Sequence, residues 1–233
     1  MKERSLVGFT LLSQMALGTL WWLSVLNELE PMRLLFLTTI MVMALGAAFF
    51  HLGTPRRAWH AMSGWRSSWL SREVLCATSF TVLLGGVTLA ASLNLDLRAT
   101  GWLANLCGLA LLISMTQVYQ LRTVPEWHRR TTTASFFSAT LLLGSVCSGA
   151  LSGGGPWLAL AAIGLVGVRQ VIGWSAPRLL LLRALTVIAL LSTLFISGGW
   201  WVALALSLST EALARSAFYA DRAHLSAWRF STW

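Results

Sequence analysis

Apolar runs of membrane-spanning length follow one another along almost the whole sequence. A helix needs about 20 predominantly apolar residues to cross the hydrocarbon core of a bilayer. Hydrophobic residues make up 56% of the 233 residues and charged residues only 11%, whereas a soluble domain has about 25% charged residues. The sequence therefore predicts an all-α polytopic membrane protein, a single anchor domain over residues 1–233, with eight transmembrane helices near 6–26, 32–50, 74–93, 102–121, 134–151, 157–172, 179–196 and 199–218.

The first apolar run is expected to stay as a membrane span. It is longer than the ~7–15-residue core of a secretory signal peptide, and no small-residue cleavage site follows it. Glycine and proline separate the later runs, for example at the Gly153–Pro156 stretch and at Pro177. These residues end helices and favour turns, so they support the expected boundaries.

The basic residues divide unevenly between the two sides of the expected bundle. With eight spans, every Lys and Arg except Arg33 and Arg98 falls on the side that holds both termini. Cytoplasmic loops of membrane proteins carry an excess of Lys and Arg. We therefore expect a multi-pass membrane protein with its N- and C-termini in the cytoplasm. The net charge of +9 is assigned to orientation and to contact with membrane lipids, with no nucleic-acid partner.

The arginine-rich side also carries the other polar residues. A transporter requires polar groups near the bilayer midplane, and a transmembrane b-type cytochrome requires histidine pairs at two depths. Neither pattern is recognisable, and the three cysteines lie inside apolar runs without a metal-ligand spacing. We expect a membrane anchor with one chemically equipped face and with no metal ligand of its own. That face carries all four histidines, His51, His60, His128 and His224.

The segment from residue 50 to residue 73, FHLGTPRRAWHAMSGWRSSWLSRE, carries most of this chemistry. Its apolar residues Trp59, Met62, Trp65 and Trp69 recur at spacings of three to four, which predicts a short amphipathic helix at the membrane surface. An apolar pocket with a few convergent polar groups suits the headgroup of a lipid-soluble quinol. A quinol releases two protons with its two electrons, and an imidazole and a carboxylate at the membrane edge are suitable proton acceptors.

Several motifs occur in an order that resembles a known family. HLGTPRRAW at 51–59 followed by SSWLSRE at 67–73 is similar to the membrane-anchor subunit of dimethyl sulfoxide reductase. The same is true of Gln117-Val118-Tyr119, of TVPEW at 123–127, of SFF at 135–137, and of Glu211, Arg215 and Phe218-Tyr219 in the last span. The resemblance extends from Leu6 to Tyr219 and covers most of the chain.

The resemblance implies a haem-free anchor that is not catalytic by itself. Such an anchor holds an iron–sulfur electron-transfer subunit and a molybdopterin catalytic subunit, and it oxidises an exchangeable menaquinol in anaerobic respiration. The iron–sulfur clusters and the molybdopterin belong to the partner subunits. In that family the histidine of the HLGxP motif and the glutamate that opens the third helix are associated with quinol binding, and they match His51 and Glu73. The quinol-binding candidates are His51, Gly53, Pro55, Arg56, Trp69, Arg72 and Glu73, and the partner-docking candidates are Arg57, Arg66, Arg129 and Arg130.

Two alternatives remain open at this stage. One is a small-solute transporter, and the other is a structural anchor or assembly protein without quinone chemistry. The side that faces the partner subunits is also open, because reductases of this type are often exported whereas the arginine distribution favours the cytoplasm. The terminal substrate depends on the catalytic subunit.

Three further residues receive structural interpretations. Glu211 and Arg215 are four residues apart on the last span, which predicts an ion pair within one helix. Tyr119, at the end of the fourth span, is expected to anchor the helix at the membrane interface.

Overall fold

The structure of the chain is a computed structural model. It describes residues 2–51, 65–66, 68–120, 130–172, 177–196 and 198–230, and it describes only the backbone of residues 2–4, 49–51, 98, 130, 177–178 and 218–230. The expected amphipathic helix that would include Trp59 and Met62 lies outside these residues. Trp65 and Arg66 form a turn, and Trp69 begins the next helix.

The described residues form eight α-helices. Proline is the first residue of α2, α6 and α7, as expected where the missing N–H would have no helical partner. The helices are α1 (Lys2–Leu26), α2 (Pro31–His51), α3 (Trp69–Ser92), α4 (Arg98–Tyr119), α5 (Arg130–Ser152), α6 (Pro156–Ile172), α7 (Pro177–Ser192) and α8 (Gly199–Phe230).

The eight helices form two halves with the same packing order. In the first half, α1 packs against α2, α2 against α3, α3 against α4, and α4 returns to α1. In the second half, α5, α6, α7 and α8 follow each other in the same way, and α8 returns to α5. The halves meet where α1 contacts α5 and α8, and where α4 contacts α5. No repeat is recognisable by eye in the sequence itself, so this similarity is a finding of the structure.

Helices α1 and α5 form the centre of the bundle. In their most apolar windows, 72% of the α1 residues and 67% of the α5 residues are buried, compared with 28% in both α2 and α3. A glycine stands at the crossing of the two central helices. A Cβ atom placed on Gly144 of α5 would lie 2.6 Å from the Cα atom of Gly18 of α1. Small residues permit this close backbone approach between helices in a membrane.

Five helices in the described part of the chain are long and apolar enough to cross a membrane: Ser5–Leu26, Pro31–Ala48, Trp69–Ser92, Ala99–Tyr119 and Thr131–Ser152. Two shorter apolar helices follow, Pro156–Ile172 and Leu179–Ser192. The all-helical prediction is confirmed, and these segments coincide with seven of the eight predicted runs.

The largest differences from the predicted boundaries are at α3 and α8. Helix α3 begins at Trp69 instead of residue 74, because Ser68 caps it and its hydroxyl accepts a hydrogen bond from the backbone N–H of Ser71. Helix α8 continues to Phe230 instead of residue 218, since no glycine or proline interrupts it. At 1.5 Å per residue, its 32 residues reach about 48 Å, which exceeds the ~30 Å hydrocarbon core of a bilayer.

Candidate functional site

Glu73 lies one turn inside α3. The sequence analysis placed it at the point where the helix opens, but the helix begins at Trp69 and has no acidic residue in its first turn. Carboxylates are favoured at a helix N-terminus because the free N–H groups there carry partial positive charge, and this effect falls off after the first turn. A helix-end role therefore does not explain why the chain places an acid at this position.

The Glu73 side chain points into the bundle. It is 4% exposed and belongs to the buried stripe of α3 that continues through Ala77, Phe80 and Leu84. Its Oε1 atom is buried and has no hydrogen-bond partner among the residues that the structure describes. A buried acceptor without a donor is unfavourable, so Glu73 is suited to receive a donor group from a ligand.

The neighbouring candidates Trp69 and Arg72 contact each other at the start of α3. The Arg72 guanidinium lies 4.3 Å from the Trp69 ring centroid, within the range of a cation–π contact. Its Nε atom donates to the carbonyl oxygen of Trp65 and its Nη2 atom donates to that of Arg66, both at 2.8 Å. Arg72 thus fixes the turn before α3, while Glu73 faces the interior.

The remaining candidates are described only in part. His51 is the last residue of α2, and Arg130 is the first residue of α5. Because α2 and α3 are consecutive and pack together, the end of α2 and the start of α3 lie at the same end of the bundle. Arg66 is exposed, with its guanidinium 5.3 Å from the Trp65 ring centroid. Gly53, Pro55, Arg56, Arg57 and Arg129 lie outside the described residues.

A second polar cluster lies inside the second half of the bundle, and the sequence analysis did not predict it. Arg169 of α6 donates from Nε and Nη2 to the two carboxylate oxygens of Glu211 of α8. The Arg169 Nη1 atom donates to the hydroxyl and the carbonyl oxygen of Ser135 on α5. Arg169 and Glu211 are 3% and 1% exposed. The bidentate partner of Glu211 is therefore a residue from another helix, which the spacing of Glu211 and Arg215 on α8 could not indicate.

Arg215 connects the cluster to the centre of the bundle. Its Nη2 atom donates to the side-chain oxygen of Gln14 on α1 at 3.2 Å, and its guanidinium carbon lies 3.5 Å from the Phe136 ring centroid. The Gln14 amide in turn donates to the Phe136 carbonyl oxygen. Tyr119 is buried and stacks on Phe136 with 5.3 Å between ring centroids, so its expected role as an interface anchor is wrong.

A wide groove lies at the opposite end of the bundle. Its volume is about 790 Å³, and its lining comes from the C-terminal end of α1 and the N-terminal part of α4, including Trp21, Ser24, Trp102 and Asn105. The Asn105 amide nitrogen donates to the Ser24 hydroxyl at 3.0 Å, while its buried oxygen has no partner among the described residues. This groove is a second place where an amphiphilic ligand could bind.

The chain matches a family model described as "DMSO reductase anchor subunit (DmsC)" over residues 1–155. It is 33% identical to the anaerobic dimethyl sulfoxide reductase protein YnfH of Escherichia coli over 162 residues, covering 64% of this chain and 57% of the relative. It is 31% identical to a component of the anaerobic dimethyl sulfoxide reductase of Haemophilus influenzae over 164 residues, covering 64% of this chain and 58% of the relative.

A third relative is named for a different enzyme. The chain is 36% identical to a subunit of the sulfite dehydrogenase of Allochromatium vinosum over 112 residues, covering 42% of this chain and 34% of the relative. In each case the match spans less than two thirds of the length of the relative. The family match ends just before α6, so the helices that carry Arg169 and Glu211 lie outside it.

Proposed function

Because the chain belongs to the DMSO reductase anchor subunit family (DmsC), we propose that it anchors a multi-subunit molybdopterin and iron–sulfur oxidoreductase in the bacterial inner membrane. The partners are an iron–sulfur electron-transfer subunit and a molybdopterin catalytic subunit. All eight helices cross the membrane in this proposal. Both termini and the arginine-rich connections lie on the cytoplasmic side, because that arrangement leaves only Arg33 and Arg98 on the other side.

The proposed chemistry is the oxidation of a membrane quinol. The quinol would give its two electrons, one at a time, to the iron–sulfur subunit and release two protons, which leaves a quinone. Menaquinol is the proposed donor. Glu73, whose buried Oε1 atom has no partner among the described residues, supports this proposal most strongly. A quinol hydroxyl is a donor that would satisfy this carboxylate, and the carboxylate can accept the proton that leaves.

Each candidate residue has a stated role in this proposal. Glu73 accepts a hydrogen bond and then a proton from one quinol hydroxyl, and His51, at the same end of the bundle, serves the other hydroxyl. Gly53, Pro55, Arg56, Trp69 and Arg72 surround or support the headgroup. The positive side chains of Arg57, Arg66, Arg129 and Arg130 contact the partner subunit or the lipid phosphates. The anchor supplies binding and proton acceptance, and the redox centres belong to its partners.

The test compares quinol-dependent turnover of the purified complex with turnover driven by a soluble reductant that reacts directly with the iron–sulfur subunit. Glu73→Gln and His51→Ala should each lower quinol-dependent turnover by about 100-fold, the scale of lost general-base catalysis. They should leave the soluble reductant reaction unchanged. Glu30→Gln, an exposed acid at the other end of the bundle, is the matched control and should have no effect.

Three other results would each select a different function. Unchanged quinol turnover in both variants, with intact assembly, would leave a structural anchor or assembly protein. Loss of quinol turnover in Asn105→Leu but not in Glu73→Gln would move the quinol site to the groove at the opposite end. A protein that purifies without iron–sulfur and molybdopterin subunits would reopen the transporter alternative.

A further inference from the structure

A small cavity lies between α6, α7 and α8 in the second half of the bundle. Its volume is about 10 Å³, close to the smallest space that holds one water molecule. Five buried side-chain nitrogen and oxygen atoms of the described residues lack a hydrogen-bond partner, and three of them belong to Arg183 and Ser207. Both residues line this cavity. The polar atoms without partners in these two residues therefore belong to the lining of one cavity.

Arg183 is a buried cation, and some of its hydrogen-bond donors are not used. The residue is 4% exposed, and its Nη1 atom donates to the Gln170 side-chain oxygen at 2.7 Å. Its Nε and Nη2 atoms have no partner among the described residues. A charged group whose donors are buried without acceptors is strongly unfavourable, more so than a neutral one. An acceptor that can occupy the cavity would remove this penalty.

Ser207 differs from Ser209, Thr210 and Ser216, the other hydroxyl residues of α8 whose side chains the structure describes. Ser209, Thr210 and Ser216 each donate to the carbonyl oxygen four residues earlier, which is the usual local bond of a helical hydroxyl. Ser207 is 1% exposed, and its Oγ atom has no partner among the described residues. Its hydroxyl is therefore available to the cavity that it lines.

We propose that this cavity binds a single water molecule, held by Arg183 and Ser207 beside Glu211. The water oxygen accepts hydrogen bonds from Arg183, and its hydrogen atoms go to acceptors on the cavity wall. Those acceptors are the Glu211 carboxylate and the oxygens of Ser207, Thr186 and Thr210. The site thus offers the two to four polar partners that a buried water requires. The cavity volume favours water over a halide ion, which is larger.

The bound water links Glu211 to a second arginine, Arg183. Arg169 bonds the carboxylate directly, and Arg183 reaches it through the water. The water therefore connects α7 to the ion pair that already joins α6 and α8. This role is independent of quinol chemistry, because the cavity lies in the second half of the bundle and Glu73 lies in the first half.

A double-variant cycle on the purified full-length protein tests the site. Ser207→Val fills the cavity with methyl groups and expels the water, so the Arg183 donors lose their acceptor and the melting temperature should fall by about 5 °C. In an Arg183→Met background the buried donors that require the water as an acceptor are gone. Ser207→Val should then leave the melting temperature unchanged or raise it. Ser209→Val, an exposed position on the same helix, should have no effect in either background. Equal losses from Ser207→Val in both backgrounds would overturn the proposal.

Electron cryo-microscopy of the unmodified complex gives an answer that does not depend on how the variants fold. A map at about 2 Å resolution should show one peak within about 3 Å of Arg183 and Ser207. No peak at this place would overturn the proposal. A melting temperature that depends on chloride, together with a peak that strengthens when bromide replaces chloride, would assign the cavity to a halide instead.

Discussion

Gly18 of α1 and Gly144 of α5 are in backbone contact at the centre of the bundle, so that a Cβ atom on Gly144 would lie 2.6 Å from the Gly18 Cα atom. A Cβ atom on Gly18 would in turn meet the carbonyl group of Thr140 on α5, so both glycines mark one close approach between the two halves. It allows α1, which also packs against α2, α4 and α8, to serve as the common wall of both halves.

Gly144→Ala should therefore separate α1 from α5. A methyl group at this position meets main-chain atoms, which cannot rotate away, so the strain should reach or exceed the ~1–3 kcal/mol of an overpacked core. We expect a lower yield of folded protein and a lower melting temperature. Gly85→Ala on α3 is the control, because nothing lies within 4 Å of its added Cβ. A Gly144→Ala protein as stable as the control would contradict the contact.

Trp200 and Trp201 are adjacent but differ sharply in burial. Trp200 is 2% exposed, and a Cβ atom on Gly154 would lie 2.7 Å from its Nε1 atom. Trp200→Ala should lower the free energy of unfolding by about 3–5 kcal/mol, because it leaves a large cavity. Trp201→Ala, at a position that is 52% exposed, should change it by less than about 1 kcal/mol. Chemical denaturation in detergent measures both values, and equal losses would contradict this difference.

The Arg169–Glu211 ion pair should respond to single and double substitution in opposite ways. Glu211→Gln leaves Arg169 buried without its counter-charge and should lower the free energy of unfolding by about 3–5 kcal/mol. The double variant Arg169→Met, Glu211→Leu should recover most of that loss, because no buried charge remains. The corresponding change at the more accessible Arg33–Glu28 pair, whose side chains are 17% and 37% exposed, is Glu28→Gln, and it should have an effect below about 1 kcal/mol. A double variant that is no more stable than Glu211→Gln would refute this interpretation.

Arg72 should control access to the turn before α3. Arg72→Ala removes the two hydrogen bonds to the carbonyl oxygens of Trp65 and Arg66. We expect trypsin to cut after Arg66 about tenfold faster, since a decrease of about 1.4 kcal/mol in the free energy of local opening corresponds to that factor. Mass spectrometry of the peptides measures the rate. Leu70→Ala, an exposed position in the same turn of α3, should leave it unchanged.

The sequence predicts the helices well and their polar ends less well. The local composition of an apolar run is enough to identify a helix of spanning length. Most of the expected spans therefore agree with the helices to within a few residues. The residues that extend α8 beyond 218 include Asp221, Arg222 and His224. A helix outside the hydrocarbon core needs no apolar run. A prediction based on apolar runs therefore could not detect this extension. The start of α3 was missed for a related reason, because Trp69–Arg72 is not a continuous apolar stretch.

Pairing between helices could not be predicted from spacing. Arg215 is close to Glu211 in sequence, whereas Arg169 is 42 residues away. The packing of α6 against α7, α7 against α8 and α8 against α5 brings Arg169 to the carboxylate. For the candidate site, the sequence identified Glu73 but placed it at a helix end. The burial of Glu73 one turn inside α3, and the hydrogen bonds of Arg72 to the turn before it, are visible only in the structure.

The Arg169–Glu211 pair also sets an order for biosynthesis. Helices α6 and α7 are only 17 and 16 residues long, and each carries a buried arginine. In the proposed eight-span topology, a ribosome makes both helices before it makes Glu211, so the nascent chain would present two cations to the lipid before their counter-charge exists. Intramembrane charges of this kind are unfavourable until they are paired. The last three helices should therefore enter the membrane as one group, and a nascent chain arrested before Glu211 should hold α6 and α7 poorly.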